Sequence, residues 1–270
     1  MSVSPGISLP DRHRALRERL RSLPRAVVAF SGGVDSSFLA LEARAALGER
    51  AEAVTAVSES LPPWEREEAK RVAAEIGIAH REIATREMDR PEYRANDANR
   101  CFFCKETLLT ALRGISPEGT PLLLGYIADD AADFRPGRKA AHIAGAIAPL
   151  EEAGLRKEEI RLLAREAGLS VWDKPALACL SSRVAYGQEV TPELLGRIGR
   201  AEWALRRLGF AEVRVRTHGA LARVEVPRAR LAEAAARAGE IAAALRAEKY
   251  LFVTLDLAGL KSGSMNRLLI

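Results

Sequence analysis

Apolar residues first gather in the unbroken run Ala26-Val27-Val28-Ala29-Phe30. The run is too short for a helix and does not alternate with polar positions, which predicts a strand buried on both faces. Two glycines follow it closely, and Phe38-Leu39-Ala40-Leu41-Glu42-Ala43 then reads as a helix. Strand and helix patterns go on alternating. A second strand is predicted at Ala53-Val54-Thr55-Ala56-Val57-Ser58, a helix from Pro63 to about Ile76, a third strand over 78–83, a helix near 105–112 and a fourth, continuous apolar strand over 121–127. This order predicts an α/β fold, a doubly wound parallel sheet with ligands at the carboxyl ends of its strands. Pro62-Pro63 and Arg135-Pro136-Gly137 mark loops at such ends. Ahead of the first strand, Asp11-Arg12-His13-Arg14-Ala15-Leu16-Arg17 has the pattern of a basic amphipathic helix.

The pattern changes after about residue 184. A helix is predicted over 192–208, ending at Gly209, and Glu212-Val213-Arg214-Val215-Arg216 alternates in the manner of a half-exposed strand. Residues 221–226 can pair with it across Thr217-His218-Gly219-Ala220 as a hairpin. An Ala-rich helix over about 228–247 and a last strand over 250–257 complete an αββαβ unit. The expected division is therefore a nucleotide domain over 1–184 and a smaller α+β domain over 185–270.

A chain of 270 residues holds one large domain or two modest ones. The net charge of +5 rests on Arg more than Lys, a balance that suits phosphorylated small molecules and permits nucleic acid without demanding it. No apolar stretch approaches the roughly 20 residues that span a bilayer, and the first 25 residues lack the apolar core of a signal peptide. Three cysteines, an odd number, argue against a disulfide framework. The cytoplasm is the expected location.

The richest chemistry lies at Ser31-Gly32-Gly33-Val34-Asp35-Ser36-Ser37. Adjacent glycines let the backbone approach a ligand closely, and the start of the helix favours an anion. No Gly-Lys-Ser/Thr follows, so the Walker A pattern is absent. The bland alternative is a strand–helix turn capped by Asp35 or Ser36. The stretch instead resembles the PP-loop, SGGxDS(S/T), of ATP pyrophosphatases, which split ATP between its α and β phosphates. That resemblance implies an adenine nucleotide alpha hydrolase-like fold, with ATP held by Ser31, Gly32, Gly33, Asp35, Ser36, Ser37 and Gly125; sheet topology places Ser58, at the end of the second strand, to meet the adenine or ribose. Asp35, with Asp129, Asp130 or Asp133, is a candidate to hold Mg²⁺ on the leaving pyrophosphate. The bland alternative for the acidic stretch 129–133 is a solvated loop.

Cys101-Phe102-Phe103-Cys104 sits just before the helix predicted at 105, and Cys179 lies far downstream. A CxxC can offer two sulfurs to one metal or cluster, but it can equally be a redox pair or two unrelated thiols. If the fold brings Cys179 close, three thiolates suit a [4Fe-4S] cluster with one iron unligated by protein. A zinc site would recruit a fourth ligand, such as His80 or His142, and no metal at all is the remaining reading. Arg214 and Arg216 share one strand face and can clamp a phosphate, unless that face is simply solvated. Glu202, Glu225 and Asp256 are acid–base or metal candidates, or ordinary surface carboxylates.

The PP-loop, Arg100-Cys101-Phe102-Phe103-Cys104-Lys105, Asp129-Asp130-Ala131-Ala132-Asp133-Phe134-Arg135-Pro136-Gly137 and Lys174-Pro175-Ala176-Leu177-Ala178-Cys179-Leu180-Ser181-Ser182-Arg183 occur in the order seen in the LarE family. The likeness continues through Glu212-Val213-Arg214-Val215-Arg216 and Leu255-Asp256 to Gly263-Ser264-Met265-Asn266. LarE proteins are ATP-dependent sulfur transferases of nickel-pincer nucleotide synthesis. The resemblance implies adenylation of a carboxylate of pyridinium-3,5-biscarboxylic acid mononucleotide, with Arg214 and Arg216 on its phosphate and Ser182 and Arg183 beside it. Sulfur would come from Cys179 itself, which becomes dehydroalanine, or from sulfide on a [4Fe-4S] cluster held by Cys101, Cys104 and Cys179. The presence of Cys101 and Cys104 favours the cluster. A sulfur-supplying system and a homo-oligomer, trimer or hexamer, are the implied partners. A tRNA thiolase and a non-catalytic ATP- and cluster-binding sensor are the alternatives. Against the thiolase, the second domain lacks a basic, aromatic RNA platform.

Overall fold

The computed structural model describes residues 8–132, 136–175 and 178–261. Along the chain the elements are α1 (Leu9–Arg21), β1 (Ala26–Ala29), α2 (Val34–Leu47), β2 (Ala51–Val57), α3 (Pro63–Ile76), β3 (Ala79–Ala84), α4 (Pro91–Arg94), α5 (Arg100–Ile115), β4 (Leu122–Leu123), α6 (Pro136–Ile143), α7 (Pro149–Glu152), α8 (Lys157–Glu166), α9 (Pro192–Arg207), β5 (Arg214–His218), β6 (Leu221–Glu225), α10 (Leu231–Ala236), α11 (Ala238–Ala247) and β7 (Phe252–Leu255). They form two compact units. The first comprises Met1–Ser58, Pro63–Glu87 and Cys101–Leu177, and the second Glu59–Pro62, Met88–Arg100 and Ala178–Ile270.

In the first unit four parallel strands lie in the order β3-β2-β1-β4. Successive β1 residues serve opposite faces, as the twofold strand period requires. Val28 packs with Phe38, Leu39, Ala53 and Val72 on one face, and Val27 packs with Val54, Leu109, Leu112 and Leu122 on the other. A core on each face makes the sheet doubly wound. The strand order reverses between β1 and β4, and ligands of open α/β sheets bind in the crevice outside the strands at such a switch point.

The fourth strand is shorter than its apolar run. Only Leu122 and Leu123 pair with β1, and a bridge from Leu123 to Ile147 takes over on the far side. In α5 the helix begins at Arg100, so Cys101 and Cys104 stand in its first turn and not ahead of it.

The second unit holds the hairpin β5–β6, with Arg214 opposite Glu225 and Arg216 opposite Arg223, and a parallel β7 beside β6. Ala201, Leu205, Phe210, Val215, Val224, Leu245 and Tyr250 form its core. The strand expected to be half-exposed is buried from Arg214 to Thr217. The long Ala-rich helix is broken at Arg237, whose guanidinium donates to the Leu208 carbonyl at 2.7 Å and lies 5.4 Å from the Phe210 ring.

Candidate active site

The first unit carries a loop built for an anion. Gly32 holds φ +70°, and a Cβ there would come within 2.9 Å of the Ala69 Cα on α3. Glycine alone suits both conditions. Gly33 is the N-cap of α2 and no side chain caps that helix, so its first-turn N–H groups face outward at the positive dipole end. The Ser36 hydroxyl accepts from the Ser31 N–H at 3.2 Å, donates to the Gly33 carbonyl at 3.1 Å and lies 3.1 Å from the Ser31 hydroxyl. Ser37 is fully buried behind them. Gly125 follows β4, and a Cβ on it would stand 3.1 Å from the Ser36 nitrogen. The close approach of these two segments therefore depends on a missing side chain.

Acidic groups and lysines surround the loop. Lys157 donates to both carboxylate oxygens of Asp35 at 2.8 Å, and its backbone N–H donates to Asp129 at 2.7 Å. Burial pushes the Asp35 carboxyl above its usual range; Lys157 pulls it back and Asp130 opposes that pull. Asp130 also accepts from the Ile127 N–H at 3.2 Å, while Asp133 lies outside the described residues. Among the described residues, no three His, Cys, Asp or Glu side chains group to hold a metal ion. Mg²⁺ on a nucleotide needs only one or two carboxylates besides phosphates and water, so Asp35 and Asp130 fit that use. Lys174, which the sequence showed only as part of a motif, donates to the Gly32 carbonyl at 3.3 Å and is held by Glu65 at 2.8 Å and Glu68 at 3.0 Å. It braces the loop from the side of α3. Past the end of β2, the Ser58 hydroxyl donates to buried Glu87 at 2.6 Å.

None of Cys101, Cys104 and Cys179 is in a disulfide; the first is exposed and the others partly so. Cys101 and Cys104, three apart in one helical turn, are surface neighbours. Burial pushes the adjacent Lys105 ammonium below its ordinary range, and the two cysteines oppose that shift. His80 is engaged elsewhere, 2.8 Å from the Thr55 hydroxyl.

In the second unit, Cys179 leads into a tight turn, Leu180–Arg183. Arg183, 2% exposed, donates to Glu202 at 2.8 Å and to the Ala178 carbonyl at 2.7 Å. Glu202 also accepts from the Val215 N–H at 3.0 Å, tying the turn to β5. Arg216 donates to Glu225 at 3.0 Å and to the Ser182 carbonyl at 2.7 Å. Glu202 and Glu225, allowed for as surface carboxylates, are thus buried partners of arginines, and Asp256 pairs with Arg223 at 3.3 Å. Arg214 differs from its neighbours. It donates to the Lys261 carbonyl at 3.2 Å, yet among the described residues no carboxylate lies within salt-bridge distance. Burial, then the nearby Arg183 and Arg216 charges, hold it below its ordinary range. Glu225 and Glu202 act in the opposite direction, and a bidentate anion is a chemically suitable partner for this guanidinium.

The switch-point sheet and its glycine loop define a nucleotide-using PP-loop protein, and residues 13–98 match the asparagine synthase family. Over 262 residues, 96% of this chain and 95% of the relative, the chain is 35% identical to the pyridinium-3,5-bisthiocarboxylic acid mononucleotide synthase of Lactiplantibacillus plantarum. It is 45% identical over 270 residues, 97% of this chain and 99% of the relative, to an uncharacterized protein of Synechocystis sp.. The chain belongs to the family of that synthase, the LarE family.

Proposed function

We propose that this protein is an ATP-dependent sulfur transferase. It adenylates the carboxylates of pyridinium-3,5-biscarboxylic acid mononucleotide, releasing pyrophosphate and then AMP, and inserts sulfur to give thiocarboxylates. The observation that carries this reading is the 35% identity to the named synthase along 96% of the chain. A carboxylate is a poor electrophile, and the acyl adenylate supplies the leaving group that a sulfur nucleophile needs. In this reading the loop 31–37, Ser58 and Gly125 hold ATP, Asp35 and Asp130 carry Mg²⁺, and Arg214 and Arg216 take the substrate phosphate. Ser182 meets the reacting carboxylate, and Arg183, buried against Glu202, donates to the Ser182 hydroxyl at 3.0 Å and positions it. The sulfur is assigned to a [4Fe-4S] cluster on Cys101, Cys104 and Cys179, which when bound would supply an iron able to carry sulfide. What supports the cluster is the presence of Cys101, Cys104 and Cys179 outside any disulfide, set against the finding that among the described residues no three such side chains group to hold a metal ion. The protein is expected to work in the cytoplasm as a homo-oligomer, fed by a sulfur-supplying system.

The test is incubation with the mononucleotide and Mg·ATP. AMP, pyrophosphate and a thiocarboxylated product are expected; ADP as the main product would rule the reading out. Intact mass spectrometry separates the two sulfur sources. A sacrificed Cys179 loses H₂S, about 34 Da, through elimination from a thioester, whereas a cluster ligand keeps its mass.

A further inference from the structure

Residues 88–100 leave the first unit to join the second, and they converge on the turn that carries Ser182 and Arg183. Asn96 is the centre of this strap. It is fully buried and holds a left-handed φ of +54°, a conformation that asparagine tolerates better than most residues. Its side-chain amide donates to the Ala185 carbonyl at 2.8 Å and to the Gln188 carbonyl at 3.0 Å. Its side-chain oxygen accepts from Arg100. The backbone is engaged as well: the Asn96 N–H donates to the Tyr93 carbonyl at 3.2 Å, and the Asn96 carbonyl accepts from the Gly187 N–H at 3.2 Å. A buried amide with both donors and its acceptor used is satisfied without water. The bonds continue into the turn. The same Arg100 nitrogen donates to the Ser181 carbonyl at 2.9 Å, and the Tyr93 hydroxyl lies 2.6 Å from the Ser181 hydroxyl.

We propose that Asn96 is a positioning residue for the turn Leu180–Arg183, acting through Arg100 on Ser181 and directly on the carbonyls of 185 and 188. The inference rests on the reading that Cys179 and Ser182 act on the substrate. Ser181 is the pivot, because it lies two residues past Cys179 and next to Ser182. Holding both its carbonyl and its hydroxyl fixes the direction in which the Ser182 and Arg183 side chains leave the chain.

Hydrogen exchange of the full chain tests this without any turnover, so it stands apart from the failure of the functional reading. The relevant amides are Leu180, Ser182 and Val184, which donate to the carbonyls of Ser60, Cys179 and Ser181. Asn96→Gly keeps the left-handed backbone accessible and removes the amide. It is expected to speed exchange at these three amides by about tenfold, while β5 and β6 and residues 31–37 keep wild-type rates. Its kcat for thiocarboxylate formation should fall with KM for ATP unchanged. Tyr93→Phe, which removes only one hydroxyl, should show the same pattern more weakly and carries the test if Asn96→Gly does not fold. Wild-type exchange at the three amides in a folded variant would overturn the proposal. So would an equal rise across β5 and β6, which would make Asn96 a general stability residue.

Discussion

Burial and pairing give chemically identical side chains different uses here. Glu202 and Arg183 are each 2% exposed and paired at 2.8 Å. Glu202→Gln would leave a buried guanidinium without its counterion and is expected to lower unfolding free energy by about 3–5 kcal/mol in denaturant titrations. Arg214→Met should behave in the opposite way. No described carboxylate pairs with Arg214, so its removal relieves repulsion from Arg183 and Arg216 and leaves stability unchanged or raised. Affinity for the mononucleotide should fall roughly 10- to 150-fold through a lost charge-assisted contact, with ATP affinity unaffected. Isothermal titration with each ligand checks the split. Asp35 supplies the pH dependence. Burial raises its carboxyl above the ordinary 3.8, so the group keeps its proton to a higher pH than a free aspartate, and Lys157 works against that shift. In the proposed function the anion is the form that would hold Mg²⁺, so kcat/KM for ATP should fall on acidification through the raised value. Lys157→Met removes the opposing charge and should move that acid limb to higher pH. A pH profile of pyrophosphate release in the two proteins reads the displacement.

At the scale of elements, the decisive junction is β1, the loop and α2. The close packing of Gly32 on α3 and of Gly125 on the start of α2 sets where the first-turn N–H groups of α2 lie. Gly125→Ala places a methyl 3.1 Å from the Ser36 nitrogen. It should cost about 1–3 kcal/mol by overpacking and depress ATP use more than global stability suggests; thermal melting paired with nucleotide titration checks this. The junction was legible in the sequence because an apolar run, two glycines and a helix pattern are local signals. Other elements were less so. Residues 157–166 carry a clear apolar stripe, with Ile160, Leu163 and Ala164 buried, a pattern that the sequence carries but that is short and lies between loops; Glu159 accepts from the Arg156 N–H at 2.9 Å. The break at Arg237 has a weak local cue in Gly239, two residues on, and Arg237 there meets the Leu208 carbonyl and the Phe210 ring. The burial of β5 was hidden. Alternation of Val and Arg looks like one wet face until Glu225 on β6 pairs with Arg216 and the carbonyls of Ser182 and Lys261 accept from Arg216 and Arg214.

For the molecule as a whole, the two units divide the residues of the proposed chemistry. The nucleotide loop, Cys101 and Cys104 belong to the first, and Cys179 with the arginine cluster to the second. If the three thiols share one cluster, Cys101→Ala, Cys104→Ala and Cys179→Ala should each abolish the iron content of anaerobically purified protein, and iron and sulfide analysis decides it. Iron retained in any one of the three would remove that residue from the ligand set.

The alternation of the first strands and helices, the glycine loop and the identity of the thiols could be read from the sequence by itself. Periodicity, glycine sterics and side-chain chemistry are properties of neighbouring residues, and they need no partner from elsewhere in the chain. Tertiary structure alone decided the strand order β3-β2-β1-β4 and the switch point beside β1. It also decided which charges are paired and which are not: Arg183 with Glu202, Arg216 with Glu225, and Arg214 with no described carboxylate. Asn96 belongs with these. Its sequence context shows a polar residue in a polar stretch, and only the fold turns it into a buried support for the turn at Ser181. Such contacts join positions tens of residues apart, and a pattern read along the chain carries no information about which distant group will meet which.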